Sequence, residues 1–115
     1  MTLPDCLFCK IVRREIPAKE VRRDERIVAF HDVNPQAPVH VLVVPTDHAD
    51  HLSDFAGKAA DEVAAHLLRT ASEIGSQLGP EGYRVVMNQG QDGGQTVHHL
   101  HAHVLAGRPM TWPPG

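Results

Sequence analysis

The sequence predicts an α+β domain built on a five-stranded, mainly antiparallel sheet with one long and one short helix. Two observations predict this fold class. Short apolar runs bounded by turn residues recur along the chain, and one long stretch within residues 54–79 has helical periodicity. With 115 residues, of which 42% are hydrophobic, the chain fits one domain spanning residues 1–115 and can bury a core without a disulfide framework.

The first half of the chain predicts the short helix and three strands. The helix is expected at residues 7–13 and ends before Pro17, which cannot continue it. Strands are expected at residues 19–23 and 26–32, separated by a polar turn. Residues 39–45 form a nearly unbroken apolar run, interrupted only by His40, which is typical of a strand covered on both faces.

The second half predicts the long helix and two more strands. Apolar positions at helical spacing are Val63, Leu67, Ala71, Ile74 and Leu78, and Gly79-Pro80 is a stop signal. Strands are expected at residues 83–88 and 97–106. Residues 89–95 between them are too polar and glycine-rich for a strand. Residues 45–57 contain few hydrophobic residues, so the sequence does not define where the long helix begins.

Composition excludes several classes of protein. A net charge of −3 gives no basic footprint for duplex nucleic acid, so nucleic acid is not an expected partner. No segment approaches the roughly 20 apolar residues of a membrane span. The N-terminus lacks the basic and apolar regions of a signal peptide, and two close cysteines favour a reducing compartment. We therefore expect a cytoplasmic protein with no membrane partner.

The run His99-Leu100-His101-Ala102-His103 places three imidazoles on one face of a strand. They span about 13 Å, which makes convergence on one metal difficult and favours separate roles. A neutral imidazole is an apt nucleophile for phosphorus, and neighbouring histidines can hold charge or move protons. The alternative is a metal-binding or solvated strand face. The preceding glycines, Gly90, Gly93 and Gly94, let the backbone approach an anion closely, so together they favour phosphoryl chemistry.

These residues carry a family resemblance. His99-Leu100-His101-Ala102-His103-Val104-Leu105 resembles the histidine-triad (HIT) motif, His-φ-His-φ-His-φ-φ with φ apolar. Matches to the Hint branch of that family are Phe30-His31-Asp32, Pro35-Gln36-Ala37-Pro38-Val39-His40, Val86-Met87-Asn88, Asp92-Gly93-Gly94-Gln95 and the ending Gly107 to Gly115. The resemblance implies a homodimer with one continuous ten-stranded sheet. It also implies hydrolysis of purine nucleoside phosphoramidates or acyl-adenylates, such as AMP or GMP linked to an amine.

The resemblance also assigns roles to individual residues. His101 falls on the nucleophile, and His40, His99 and His103 fall on its partners. Thr96 falls among the catalytic residues near the leaving amine. The implied nucleotide contacts are His31, Asp32, Val33, Asn88, Gly94, Gln95, Thr96, Val97, His101, His103 and, near the dimer partner's leaving-group site, Trp112. Asp32 would hold the ribose hydroxyls, although a turn residue before Asn34-Pro35 is the alternative. His98 has no assigned role.

Cys6-Leu7-Phe8-Cys9 has the spacing of a zinc half-site, which needs two further ligands. His48 and His99 are the candidates, and His51 is the rival of His48. The arrangement resembles bacterial histidine-triad proteins, where such a set holds a structural zinc. The alternatives are a redox-active cysteine pair and two plain buried thiols.

Two rival functions stay open. One is the cleavage of dinucleoside polyphosphates, as in a sister branch of the family, although the Trp112-Pro113-Pro114-Gly115 ending argues against it. The other is a nucleotide sensor or scaffold whose hydrolysis is incidental.

Overall fold

A computed structural model describes residues 2–115. Five strands form one sheet in the order β1-β2-β3-β5-β4, and every neighbouring pair is antiparallel. The strands are β1 (Glu20–Arg23), β2 (Ile27–His31), β3 (Val39–Pro45), β4 (Tyr83–Val86) and β5 (Ala102–Ala106). The predicted five-stranded antiparallel sheet is confirmed.

Four helices accompany the sheet: α1 (Leu7–Val12), α2 (Leu52–Lys58), α3 (Asp61–Leu78) and α4 (Gly90–Gly93). The prediction of one long and one short helix is therefore incomplete, because it lacks the short helices α2 and α4. In α2 only Phe55 is buried, so no apolar periodicity reveals it, and its start is marked by the His51 side chain, which accepts a hydrogen bond from the Asp54 N–H. In α4 a single turn lies between Gly90 and Gly94, both with positive φ.

Each face of the sheet carries a hydrophobic core. On one face α3 covers the residues of the larger core, which include Ile27, Ala29, Val41, Val43, Leu100, Ala102 and Val104. On the other face Phe8 and Ile11 of α1 join Val28, Phe30, Leu42 and Val44. The central strand β3 is thus covered on both sides, as its apolar run predicts.

Gly75 lies in the middle of α3, where glycine weakens a helix relative to alanine. A Cβ at this position would lie 2.4 Å from the ring of Tyr83. The glycine therefore admits the close approach of β4 to α3, and this packing offsets the lower helix propensity.

The histidine segment departs from the prediction in one respect. The fifth strand begins at Ala102 rather than at residue 97, so His99 and His101 precede it, and β4 likewise ends at Val86 rather than at residue 88. Side chains still alternate: Phe8 contacts the rings of His99 and His101 on the α1 side, whereas Leu100 belongs to the α3-side core.

The segment before β5 is held by the connection between β3 and α2 instead of by a sheet partner. His99 Nε2 donates to the Pro45 carbonyl at 2.9 Å, and the Leu100 N–H donates to the Ala49 carbonyl at 2.7 Å. Gln95 Nε2 donates to the Asp50 carbonyl at 2.6 Å. Three hydrogen bonds to residues 45–50 therefore replace a β ladder.

None of the helices found in residues 2–115 has the combination of length and apolar character that crossing a membrane requires.

Candidate functional site

Two cysteines and two histidines converge beside α1. Cys6 caps the N-terminus of this helix, Cys9 lies within it, His48 follows β3 and His99 precedes β5. Their four potential ligand atoms lie within 4.8 Å of one another. The two Nδ1 atoms of His48 and His99 are 3.2 Å apart, and the Cys9 Sγ lies 3.4 Å from one and 3.5 Å from the other. The predicted set of metal ligands is thus brought together, whereas the rival His51 caps α2 instead.

The outer nitrogens of these two histidines fix where their protons lie. His99 Nε2 donates to the Pro45 carbonyl at 2.9 Å, and His48 Nε2 donates to Asp50 Oδ1 at 2.7 Å. In the tautomer that these contacts favour, each ring presents a lone pair on Nδ1 toward the cluster. Burial lowers the pKa of His99 to about 4, so a proton does not neutralise these facing lone pairs at neutral pH. Two sulfur and two nitrogen donors suit a tetrahedral zinc ion.

The two thiols have environments suited to metal-bound sulfur. Cys9 is fully buried, and its sulfur accepts a hydrogen bond from the Leu3 N–H at 3.3 Å. Cys6 Sγ accepts one from the Cys9 N–H at 3.4 Å. Burial raises the pKa of Cys9, so metal binding must displace a proton from this thiol. The residues present fit a zinc ion.

His40 and His103 form a second group, a hydrogen-bonded row of rings that we name the relay because it is suited to moving a proton. The Gln36 N–H donates to His40 Nδ1 at 2.9 Å, so the proton of neutral His40 lies on Nε2. That Nε2–H donates to His103 Nδ1 at 2.8 Å, which leaves the His103 proton on its own Nε2. Burial lowers the pKa of His40. Burial, together with repulsion from the protonated forms of His101 and His40, lowers the pKa of His103 to about 4. Both rings are therefore neutral at pH 7.

Asp32 lies beside this relay, with Oδ2 3.4 Å from His40 Nε2. Polar atoms of Asp32, His40 and His103 also lie within 4.8 Å of one another. A metal on His40 Nε2, however, would displace the proton that this nitrogen must carry while Nδ1 accepts from Gln36. The tautomer thus suits this group to proton transfer better than to metal binding.

His101 lies between the two groups and is buried, with 5% of its surface exposed. Its Nδ1–H donates to the His99 carbonyl at 2.7 Å, so Nε2 keeps its lone pair. The ring packs edge-to-face against Phe8 at 5.1 Å and against His103 at 4.8 Å, measured between ring centroids. Burial lowers the pKa of His101, which keeps the imidazole neutral and nucleophilic.

A surface pocket of about 710 Å³ adjoins the relay. Its lining includes His31, Asp32, Val33 and His40, three of which are predicted nucleotide contacts. Asp32 Oδ1 accepts from the Asn34 N–H at 2.8 Å, so this residue also shapes the turn. Val33 is fully exposed at the pocket and offers an apolar surface to a ligand.

The other predicted nucleotide contacts lie in and around the glycine-rich loop. Gln95 uses both Nε2 protons on the carbonyls of Asp50 and Val97. Within residues 2–115 the backbone N–H groups of Thr96 and Val97 donate to no acceptor, so they are available to an anion. Thr96 and Val97 line a separate pocket of about 580 Å³ with Cys6 and His48. Asn88 precedes α4.

Trp112 is not part of this group within one chain. Its side chain is 82% exposed and makes little contact with the rest of the protein. The preceding residue is anchored by Arg84, whose Nη2 donates to the Thr111 carbonyl at 3.0 Å.

Sequence reasoning missed several residues that shape the site. Phe8 packs on His101, Asp50 orients His48, and backbone groups of Gln36 and Pro45 fix two histidine tautomers. Phe8 lies between the two cysteines and Asp50 lies two positions after His48, so their positions gave a usable signal. The backbone contacts gave none.

The fold and the histidine arrangement define a histidine-triad protein, and comparison with known proteins agrees. The HIT domain family matches residues 13–110. An uncharacterized HIT-like protein of Synechococcus elongatus is 51% identical over 112 residues, covering 96% of this chain and 97% of its own length. A 14 kDa zinc-binding protein of Zea mays is 47% identical over 113 residues, covering 95% and 87%. This chain belongs to the HIT domain family.

Solved structures give the same result. A HIT family hydrolase from Legionella pneumophila has a TM-score of 0.88 and 45% identity, covering 96% of this chain and all of its own. A histidine triad protein from Clostridium difficile has a TM-score of 0.86 and 42% identity, covering 96% and 97%. A hypothetical histidine triad nucleotide-binding protein from Sulfolobus tokodaii has a TM-score of 0.78 and 28% identity, covering 88% of this chain and 68% of its own.

Proposed function

We propose that this protein hydrolyses purine nucleoside 5′-phosphoramidates or acyl-adenylates through a covalent nucleotidyl intermediate on His101. One observation carries the proposal. The buried His101 ring donates from Nδ1 to the His99 carbonyl at 2.7 Å, which leaves Nε2 unprotonated beside His103. Similarity to a protein described as a HIT family hydrolase supports hydrolysis, and similarity to one described as a hypothetical histidine triad nucleotide-binding protein supports the ligand class.

The reaction would proceed in two displacements. His101 Nε2 attacks the α-phosphorus, a P–N bond forms to the imidazole, and the bond from phosphorus to the leaving amine or carboxylate breaks. In the second step water attacks the same phosphorus, the bond to His101 breaks, and a nucleoside monophosphate leaves. His103 carries a proton on Nε2 and can donate it to a phosphate oxygen or to the leaving group.

The remaining site residues would bind the nucleotide. The pocket lined by His31, Asp32 and Val33 would bind the base and the ribose. The Asp32 carboxylate would accept hydrogen bonds from the ribose hydroxyls. The free N–H groups of Thr96 and Val97, with Gly94 and Asn88 nearby in sequence, would stabilise charge on the phosphate. The Thr96 hydroxyl would lie near the leaving group, as would Gln95.

Cys6, Cys9, His48 and His99 would hold a structural zinc ion. When bound, zinc would crosslink α1, the connection after β3 and the segment before β5, rather than activate water, because all four positions of a tetrahedral ion are taken by protein ligands. The maize relative described as zinc-binding supports this assignment. Thiols that hold a metal must stay reduced, which a cytoplasmic location provides. Metal analysis of the purified protein tests the zinc assignment, and we expect about one zinc ion per chain.

A homodimer is part of the proposal. β4 is an edge strand of the sheet and exposes Tyr83 and Val85, while α3 beside it exposes Leu68 and Leu78. Pairing of two β4 edges would cover these side chains and join the sheets into one of ten strands. Trp112, which is 82% exposed, would then be available to the partner's site. Sedimentation measurements test this, and a monomer at micromolar concentration would contradict it.

The central experiment compares wild type with His101→Ala and His98→Ala on adenosine phosphoramidates, acyl-adenylates and dinucleoside polyphosphates. His98 is the matched control because it is exposed and lies three positions away in the same segment. We expect His101→Ala to lose at least about 10³-fold in kcat while still binding AMP. Rapidly quenched wild type should show the mass of a nucleotidyl adduct, which His101→Ala should lack.

The same panel separates the rival functions. Fastest turnover of dinucleoside polyphosphates would identify the sister-branch activity. Tight AMP binding with negligible turnover of every substrate would identify a sensor. Retained turnover in His101→Ala would exclude the covalent mechanism.

A further inference from the structure

Asp50 makes three polar contacts that join two parts of the molecule. Its Oδ1 accepts from His48 Nε2–H at 2.7 Å, its carbonyl accepts from Gln95 Nε2 at 2.6 Å, and its N–H donates to Asp54 Oδ2 at 2.8 Å. We propose that Asp50 is a positioning residue that couples the metal centre to the glycine-rich loop. The inference rests on the metal binding proposed above.

The metal side of the coupling is the carboxylate. A histidine ligand needs its second nitrogen held so that the ring faces the metal in one tautomer. The Asp50 carboxylate holds the Nε2–H of His48 and thereby directs the Nδ1 lone pair toward Cys9 and His99. The negative charge also makes the imidazole a stronger donor to a cation. Pro45 provides only a neutral carbonyl to His99, so the two histidine ligands are supported unequally.

The loop side of the coupling is the Asp50 carbonyl. Gln95 donates one Nε2 proton to Asp50 and the other to the Val97 carbonyl, while its Oε1 accepts from the Gly90 N–H at 3.3 Å. This single side chain therefore ties the start of α4 and the segment leading to the histidines to one fixed point. That point is the residue that also holds the metal ligand His48.

The two halves share one physical consequence. A metal that fixes His48 also fixes Asp50, and an ordered Asp50 carbonyl holds Gln95 and the loop. Coupling of this kind is reciprocal, so a loop that is held in place also favours metal binding. Asp50 is more than half exposed, with 58% of its side-chain surface accessible, so its carboxylate is not needed to fill the core and can be replaced without leaving a cavity.

The first experiment measures zinc affinity by competition with a chromogenic chelator in wild type, Asp50→Ala and Asp5→Asn. Asp5 is the control because it adjoins the proposed ligand Cys6 and carries the same charge, yet within residues 2–115 it makes no hydrogen bond or ion pair with a ligand side chain. We expect Asp50→Ala to bind zinc roughly 10- to 100-fold more weakly, the range for loss of an outer-shell partner, and Asp5→Asn to change little. Equal affinities in the two variants would overturn the metal side.

The second experiment follows the Gln95 side-chain NH₂ by ¹H–¹⁵N NMR, with the signal assigned by its loss in Gln95→Ala. In zinc-loaded wild type the two protons should exchange slowly with water. In Asp50→Ala at saturating zinc, and in wild type after chelation, exchange should become faster. The side-chain NH₂ of Gln36, which donates to the Asn34 carbonyl, is the internal reference and should not change. An unchanged Gln95 signal in both samples would overturn the coupling.

Failure of the underlying metal assignment has a different signature. Wild type that binds no zinc in the chelator assay would remove the metal centre itself. Wild type that binds zinc tightly, alongside an equally tight Asp50→Ala, would remove only the role of Asp50.

Discussion

His99 and His103 lie four residues apart in one segment, and each faces another histidine across a short gap. The His99 Nδ1 lies 3.2 Å from the His48 Nδ1, and the His103 Nδ1 lies 2.8 Å from the His40 Nε2. In the first pair two lone pairs face each other, which invites a cation. In the second pair a proton lies between the rings, which makes a hydrogen bond. Similar rings at similar distances therefore serve different chemistry.

The group behind each ring decides the difference. Acceptors lie behind both members of the first pair, the Pro45 carbonyl and the Asp50 carboxylate, and they draw the protons outward. A donor, the Gln36 N–H, lies behind His40 and drives its proton inward. A metal ligand and a proton relay are thus distinguished by the outer partner of the imidazole, not by the imidazole itself.

The largest expected effect comes from breaking the metal side with Cys9→Ser. A hydroxyl is a poor substitute for a thiolate ligand, so bound zinc should be lost. If free zinc is about a thousandfold above its Kd, the free energy of unfolding should fall by about 4 kcal/mol. Chemical unfolding and metal analysis measure both quantities.

The matched control for that variant is Ile11→Val, which changes the packing of the same helix without touching a ligand. It should cost about 0.5–1.5 kcal/mol and leave the metal content unchanged. A Cys9→Ser protein that keeps its zinc and its stability would contradict the metal centre.

The next effect comes from breaking the relay side with His40→Leu, which removes the donor to His103. Without the His40 Nε2–H, the proton of His103 is no longer fixed on its Nε2, so kcat should fall about 10²-fold or more. Zinc content should not change, because His40 contacts no proposed ligand. His66→Leu is the control: the same substitution at a surface histidine paired with Asp24 at 2.6 Å should leave kcat unchanged. A relay variant with wild-type kcat would mean that the shared proton has no catalytic part.

The sequence predicted the parts of this comparison that depend on side-chain type and spacing. Short runs bounded by turn residues located all five strands, although β1 itself is mostly charged. The two-residue alternation placed His99, His101 and His103 on one face. The Cys-x-x-Cys spacing, together with the family resemblance, identified the four clustered ligand residues. These features are local or periodic, so they can be read without coordinates.

The rest depends on tertiary contacts of the backbone. The start of β5 at Ala102 follows from hydrogen bonds between the histidine segment and residues 45–50, and no side-chain pattern reports them. The tautomers of His40 and His99 depend on the Gln36 N–H and the Pro45 carbonyl. Backbone groups of this kind occur throughout the chain, so the residue type does not reveal them. Helix α2 was missed because a single buried residue, Phe55, gives no helical periodicity of apolar residues.

A smaller effect is expected from pH, because burial lowers the pKa of His40, His99 and His103. The pKa of His103 is lowered from 6.5 to about 4 in the folded protein, chiefly by burial. The unfolded chain therefore binds more protons between these values, so stability is fully present above about pH 6.5 and is lost as the pH falls toward 4. Urea unfolding at pH 7, 6 and 5 should show this decline.

The variant His103→Gln isolates that contribution from acid release of the metal, which affects both proteins alike. Its stability should fall less steeply than that of wild type over the same pH range. Parallel declines would show that His103 does not titrate with folding.

The smallest expected effect tests the rule that buried polar atoms in this protein have partners. Each buried histidine nitrogen discussed here has a defined role, whereas Thr70 Oγ1 in α3 is buried with no hydrogen-bond partner within residues 2–115. Thr70→Val keeps the shape and removes the hydroxyl, so it should stabilise the fold by about 1 kcal/mol. Thr70→Ser, which keeps the hydroxyl and loses a methyl group, should instead destabilise it. Thermal unfolding of the two variants decides the matter, since a Thr70→Val protein less stable than wild type would mean that the hydroxyl has a partner, such as a buried water.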